Sequence, residues 1–156
     1  MQTDQLGLDA ELAERIGEVF GHANDGMDAL ERRAAELLPG ADAIVWEGDP
    51  ATFEFTYVGR AAERVLGYPL GRWREPGFWA ETVVPPDDAP DAVAFCALAT
   101  GQGQDHDFQY RAVTAAGRVV RLHDVVVVLR GARNVPERLR GIMIPLPDPD
   151  ADAGFR

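Results

Sequence analysis

Residues 57–88 read YVGRAAERVLGYPLGRWREPGFWAETVVPPDD, and the spacing of Gly67-Tyr68-Pro69, Gly77-Phe78-Trp79 and Pro85-Pro86-Asp87-Asp88 within it decides the fold. Gly67, Pro69, Gly71 and Pro76 break residues 61–82 into short helical pieces, because proline lacks the amide donor and glycine weakens a helix interior. A longer helix is expected after Pro85-Pro86, with Asp87 or Asp88 at its cap, carrying Val93, Phe95, Cys96 and Leu98 and ending at Gly101 to Gly103. Upstream, residues 43–47 and 53–58 read as strands joined at Gly48-Asp49-Pro50. Downstream, three longer strands are expected, roughly at 105–114, 118–129 and 139–146. The run Val125 to Leu129 is apolar on consecutive residues, so both faces of that strand must be covered.

This order of elements resembles a PAS domain of the subgroup common in bacterial histidine kinases and cyclic-di-GMP enzymes. Phe108-Gln109-Tyr110-Arg111, the turn at Gly117, the strand ending HDVVVVLR and RLRGIM at residues 138–143 follow in family order, and IVWEGDPATFEF at 44–55 looks like the first hairpin. The resemblance covers about two thirds of the chain. It implies an α+β fold: a five-stranded antiparallel sheet with short helices on one face, in a module that senses or binds something. The expected division is an N-terminal helical extension at 1–40, the domain at 41–147, and a disordered acidic tail at 148–156.

In residues 9–38 the apolar positions recur at helical spacing, with Leu12, Ile16, Val19 and Phe20 in one stripe and Met27, Leu30, Leu37 and Leu38 in another. Two helices, or one bent helix, follow, with Asp9 capping the first and Asn24 or Asp25 the second. Their stripes are the spare apolar surface of the chain, so they are expected to pack on the outer sheet face, in the same subunit or across a homodimer or other protein partner.

Composition removes several classes of function. The 156 residues contain no serine and no lysine, which excludes a serine nucleophile, a Schiff-base lysine and a Walker-type phosphate loop. A net charge of −11 opposes nucleic acid and anionic membranes. Six arginines between Arg118 and Arg140 against Asp124 and Glu137 make that charge uneven. The single cysteine, Cys96, permits no internal disulfide and no thiolate metal site, and the polar N-terminus has no apolar run for a signal peptide. A cytoplasmic protein is the expectation.

Strand parity set on Gly117 and Gly141, by comparison with flavin-binding relatives, turns Phe108, Tyr110, Ala112, Leu122, Asp124, Val126, Leu139, Gly141 and Met143 inward, with Ile44 and Trp46 from the first strand. Val93 and Cys96 would close the space from the helix. The candidate ligand-binding residues are therefore Ile44, Trp46, Val93, Cys96, Phe108, Tyr110, Leu122, Asp124, Val126 and Met143. They make an apolar box with a phenol, an indole and one carboxylate, suited to a small apolar or aromatic ligand. The competing reading is that Trp46, Phe108, Tyr110 and Met143 fill the box and leave a protein-interaction module. Asp124 must in either case find a partner, and an arginine or a backbone amide is the ordinary one.

The resemblance also specifies what is missing. The light-sensing subgroup carries a Gly-x-Asn-Cys-Arg-Phe motif; residues 74–80 have no cysteine, and the positions that grip a flavin ring match Leu122 and Met143. Haem-binding relatives supply a histidine from the helix at 87–100, which has none. Flavin and haem are disfavoured, and no cofactor is assigned. Parity points His106 to the inward edge and His123 outward, so no shared metal site is expected; His123 reads as a surface or capping residue and Asp105-His106-Asp107 as solvated charge. Pro145-Leu146-Pro147 stands where relatives continue through Asp-Ile-Thr into an output helix, and Arg121 stands at a position usually held by tryptophan. A signal would leave through a separate protein or a dimer. Catalysis, with Asp124, Tyr110 or His123 as acid or base, is demanded by nothing here, so the chain reads as a binding module rather than an enzyme.

Overall fold

The computed structural model describes residues 10–147. The cap expected at Asp9 and the tail at 148–156 lie outside these. Helices α1 (Ala10–Phe20) and α2 (Met27–Leu37) are followed by strands β1 (Ile44–Gly48) and β2 (Phe55–Val58). Next come α3 (Ala61–Leu66), a 3-10 turn (Leu70–Arg74), a wide π-helical turn (Trp79–Val83) and α4 (Ala89–Gly101). Strands β3 (His106–Val113), β4 (Val119–Arg130) and β5 (Pro136–Leu146) close the chain. The five strands form one antiparallel sheet in the order β2-β1-β5-β4-β3, as the resemblance implied.

The local reasons are legible. Gly67 ends α3 in the left-handed conformation (φ 84°), its amide bonding back to Glu63 O, a conformation that glycine adopts without a Cβ penalty. Pro90 sits in the first turn of α4, where a missing amide costs nothing. Asp88 occupies the N-cap position of α4 as expected, but its side chain makes no capping bond; its carboxylate instead holds the Arg111 guanidinium of β3 at 2.8 and 3.1 Å, because an arginine fork offers a stronger charge-assisted contact than one amide. The cap expected on the second helix is corrected. Gly26, not Asn24 or Asp25, precedes α2, and Asp25 accepts from Arg33 at 2.9 Å and from the His22 amide at 3.1 Å.

The sheet separates two cores. On the inner face α3, the two irregular turns and α4 enclose Ile44, Trp46, Phe55, Trp73, Phe78, Trp79, Phe108, Tyr110, Leu122, Val126 and Met143. On the outer face α1 and α2 of the same chain lay Ile16, Val19, Met27, Leu30, Ala34 and Leu38 against Val45, Ile142 and Ile144. Glu31 of α2 fastens the helical pair to the domain, accepting from Tyr57 Oη and, at 2.7 Å, from the Arg60 amide. The run Val125–Leu129 alternates as its two-sided cover requires: Val126 and Val128 are buried inward, and Val125 packs outward beside α1 and α2.

The outer face also buries polar groups that the sequence reading left in solvent. His123 is buried, its Nε2 2.7 Å from Asp107 Oδ2. It stands directly across the β3–β4 ladder from Gln109, two residues from Asp107 on the same face, which makes that pairing geometric. Asp105 accepts from the Val128 amide at 2.9 Å. Within the Asp105-His106-Asp107 run Asp107 is buried and paired while Asp105 stays exposed, and among the described residues no group of three or more histidine, cysteine and carboxylate side chains could hold a metal. Arg121 is also fully buried, opposite Arg111 in the β3–β4 ladder.

Candidate functional site

Site geometry starts from one glycine. Gly141 pairs with Trp46 on one side and Val126 on the other, and a Cβ placed on it would lie 2.2 Å from the Trp46 indole. The missing side chain lets the indole lie across β5 and reach the next strand. There Trp46 Nε1 donates to Asp124 Oδ1 at 2.9 Å. Tyr110 Oη, one pleat along β3, donates to Asp124 Oδ2 at 2.9 Å and itself accepts from Trp79 Nε1 at 3.1 Å. The π-helical turn that begins at Trp79, closed by the Val84 amide on Trp79 O at 2.9 Å, delivers that indole. Side chains from β1 and β3 therefore converge on the one carboxylate of β4, with Trp79 of the turn a hydrogen bond further back.

Electrostatics at this carboxylate is unusual. Asp124 is 1% exposed, and its two hydrogen-bond donors are neutral, so burial dominates and raises its pKa from 3.8 to about 7 against the opposing effect of the Trp46 and Tyr110 bonds. The expected arginine or backbone amide is not the partner; an indole and a phenol are. Burial, reinforced by the Asp124 charge, pushes the Tyr110 phenol well above its ordinary value. Burial likewise lifts the Cys96 thiol to about 12, consistent with an unreactive sulfur. His106 Nε2 lies 3.4 Å from that sulfur, and burial lowers the imidazole pKa.

Beside Asp124 the packing leaves a cavity of about 20 Å³, lined by Trp46, Gly48, Phe53, Phe55, Trp79, Cys96, Phe108, Asp124, Val126 and Leu139. Such a volume holds one water-sized body, for which roughly 10–15 Å³ suffices. Of the residues singled out from sequence, Trp46, Cys96, Phe108, Asp124 and Val126 line the cavity. Tyr110 stands behind Asp124, while Ile44, Val93, Leu122 and Met143 belong to the surrounding inner core without reaching the space. Trp79, Phe53 and Phe55 were missed as lining. Trp79 sits in the Gly-Phe-Trp marker and could have been suspected; its role depends on the π-helical turn, which has no sequence pattern. Phe53 reaches the cavity from the β1–β2 turn with a φ of 59°, held there by its amide bond to Asp49 O at 2.8 Å.

Edge-to-face aromatic pairs stiffen the walls. Trp79 meets Tyr110 at 5.5 Å and 90°, and Trp46 meets Phe55 at 5.5 Å and 87°, arrangements each worth about 0.5–1.5 kcal/mol beyond burial.

Comparison with known proteins agrees with this architecture. A family model described as the PAS fold matches residues 55–143. The N-terminal domain of a diguanylate cyclase with PAS/PAC sensor from Marinobacter aquaeolei is 36% identical, covering 66% of this chain and 94% of that one, with a TM-score of 0.62. A sensory box histidine kinase/response regulator from Burkholderia thailandensis is 22% identical over 78% of this chain and 87% of that chain (TM-score 0.59). A LOV protein of Rhodobacter sphaeroides is 15% identical over 86% and 67%, respectively (TM-score 0.59), a likeness of fold alone. No curated protein sequence matches the chain. With more than half its length under the family model and a relative above 30% identity, this chain belongs to the PAS family.

Proposed function

We propose that the chain is a sensory signalling module whose inner cavity takes at most a water-sized guest and whose output passes through contacts with another protein or a second copy of itself. The observation that carries this reading is the cavity of about 20 Å³ between Trp46, Trp79, Phe108 and Asp124. Pockets for drug-sized organic ligands run to about 300–1,000 Å³, so an aromatic ligand enters only if Trp46 or Trp79 leaves its hydrogen bond. Large side chains at Trp46, Phe108, Tyr110 and Met143 occupy the space that a flavin or haem would need, and the positions matching the flavin-gripping pair are the apolar Leu122 and Met143. The buried carboxylate serves binding or switching rather than catalysis, since no substrate of ordinary size reaches it.

Native mass spectrometry of the full chain, before and after denaturation, together with an absorption spectrum and light scattering, tests this. A colourless protein of bare 17.0 kDa subunit mass that self-associates or captures a defined partner is expected. An organic molecule released on unfolding would overturn the water-sized limit and restore a small apolar or aromatic ligand.

A further inference from the structure

The cavity beside Asp124 combines three features that do not belong together in a packing void. Its walls are aromatic: Trp46, Phe53, Phe55, Trp79 and Phe108. It exposes a carboxylate that is otherwise buried and that, among the described residues, accepts only from the neutral Trp46 and Tyr110. A carboxylate offers about four lone-pair sites, so capacity remains after those two bonds. Its volume matches a single small body. Once ionised, as at pH 8, the carboxylate beside an apolar guest would be uncompensated at a cost of several kcal/mol, and water would solvate it only partly. A small N–H cation answers all three features: it pairs with the carboxylate, donates to its open lone pairs, and lies among aromatic side chains, which attract cations.

We propose that this cavity is a binding site for the ammonium ion, held by the Asp124 carboxylate among the rings of Trp46, Trp79 and Phe108. The inference rests on the water-sized cavity of the reading above and names its guest. Lysine is absent from the chain, and no arginine hydrogen-bonds Asp124 among the described residues, so the cation has to come from solution. The β1–β2 turn contributes Gly48 and the partly buried Phe53 to the lining. Occupation would tighten the Trp46 indole against Asp124 and thereby bind β1 to β4 across Gly141, which gives the site a route to the sheet. The other titratable groups facing Asp124 are Tyr110 from β3 and Cys96 from α4, both neutral at pH 8, with His123 beside it on the opposite face of β4 and engaged by Asp107.

The test is intrinsic tryptophan fluorescence and thermal unfolding of the full chain at pH 8 and fixed ionic strength, titrated with ammonium, methylammonium, tetramethylammonium, potassium or sodium chloride. A saturable emission change and a rise in Tm of a few degrees are expected with ammonium alone. Asp124→Asn, which removes the charge, keeps one acceptor oxygen for Trp46 Nε1 and turns the Tyr110 contact round so that the amide NH2 donates to the phenol oxygen, should weaken the response at least tenfold. Val126→Met, which fills the void without touching the carboxylate, should do the same and covers the case in which the first variant misfolds. An identical response to sodium or potassium, or no saturable response, would leave only a solvent water in the cavity and overturn the assignment. An organic mass retained in native mass spectrometry would overturn the functional reading instead, so the two failures are distinguishable.

Discussion

Asp124 carries the clearest prediction at the scale of single residues. Its pKa is raised on folding from 3.8 to about 7 by burial, so the native state favours the protonated form. The associated stability is fully present below pH 3.8, is lost as pH rises through about 7, and is absent above. A shift of this size corresponds to about 4 kcal/mol at most. Urea unfolding of Asp124→Asn should show a variant similar to the parent at pH 4 and more stable at pH 8 by up to that amount. A variant less stable than the parent at pH 8 would show that ionised Asp124 is not destabilising. Gly141→Ala is the complementary change. Its methyl would meet the Trp46 indole at 2.2 Å, against backbone held on both sides by β1 and β4, and overpacking of this kind costs about 1–3 kcal/mol. The accompanying shift in tryptophan emission would show that the indole, rather than the strand, gives way.

Helices α1 and α2 are the element whose function follows from packing. Leu30 and Val19 are fully buried against Val45, Ile142 and Ile144, and the apolar stripes are spent inside one subunit. Leu30→Ala should cost about 2–5 kcal/mol in denaturant unfolding, with no change in the native Trp46 environment, since that indole lies on the other sheet face. A loss below 1 kcal/mol would mean that the helices are only loosely seated. Glu31→Gln tests how they are fastened: it weakens the acceptor for Tyr57 and the Arg60 amide and should lower the Tyr57 pKa, which burial and Glu31 together raise to about 12. Ultraviolet titration of the three tyrosines reads that change directly.

For the whole molecule, the two cores share one sheet, and this couples them. Strand β5 pairs with β1 and β4 along its length; its inward residues Leu139 and Met143 belong to the inner core and its outward Ile142 and Ile144 to the outer one. Unfolding should therefore be a single cooperative transition by tryptophan fluorescence and by circular dichroism. Separate transitions would show that the helical pair melts independently of the domain. The same sharing lets a change at Trp46 and Asp124 reach α2 through a single layer of backbone. No helix among the described residues is long and apolar enough to cross a membrane.

Much of this was determined by sequence alone, for local reasons. Strand alternation fixes which side chains share a face, so parity set at Gly117 and Gly141 by comparison with flavin-binding relatives turned Phe108, Asp124 and Val126 inward, with Trp46 from the first strand; glycine and proline spacing marked the short helices; and the apolar run Val125–Leu129 required a cover on the outer sheet face that the stripes of residues 9–38 could supply. The partners were a different matter. That Asp124 would accept from Trp46 and Tyr110 rather than from an arginine depends on an indole crossing a neighbouring strand, and the burial of His123 on Asp107 depends on which residues the β3–β4 ladder sets side by side. Only tertiary structure decided how much room was left, because a cavity is the small difference between the volume enclosed by five strands and several helices and the volume their side chains occupy, and that difference has no signature in the order of residues.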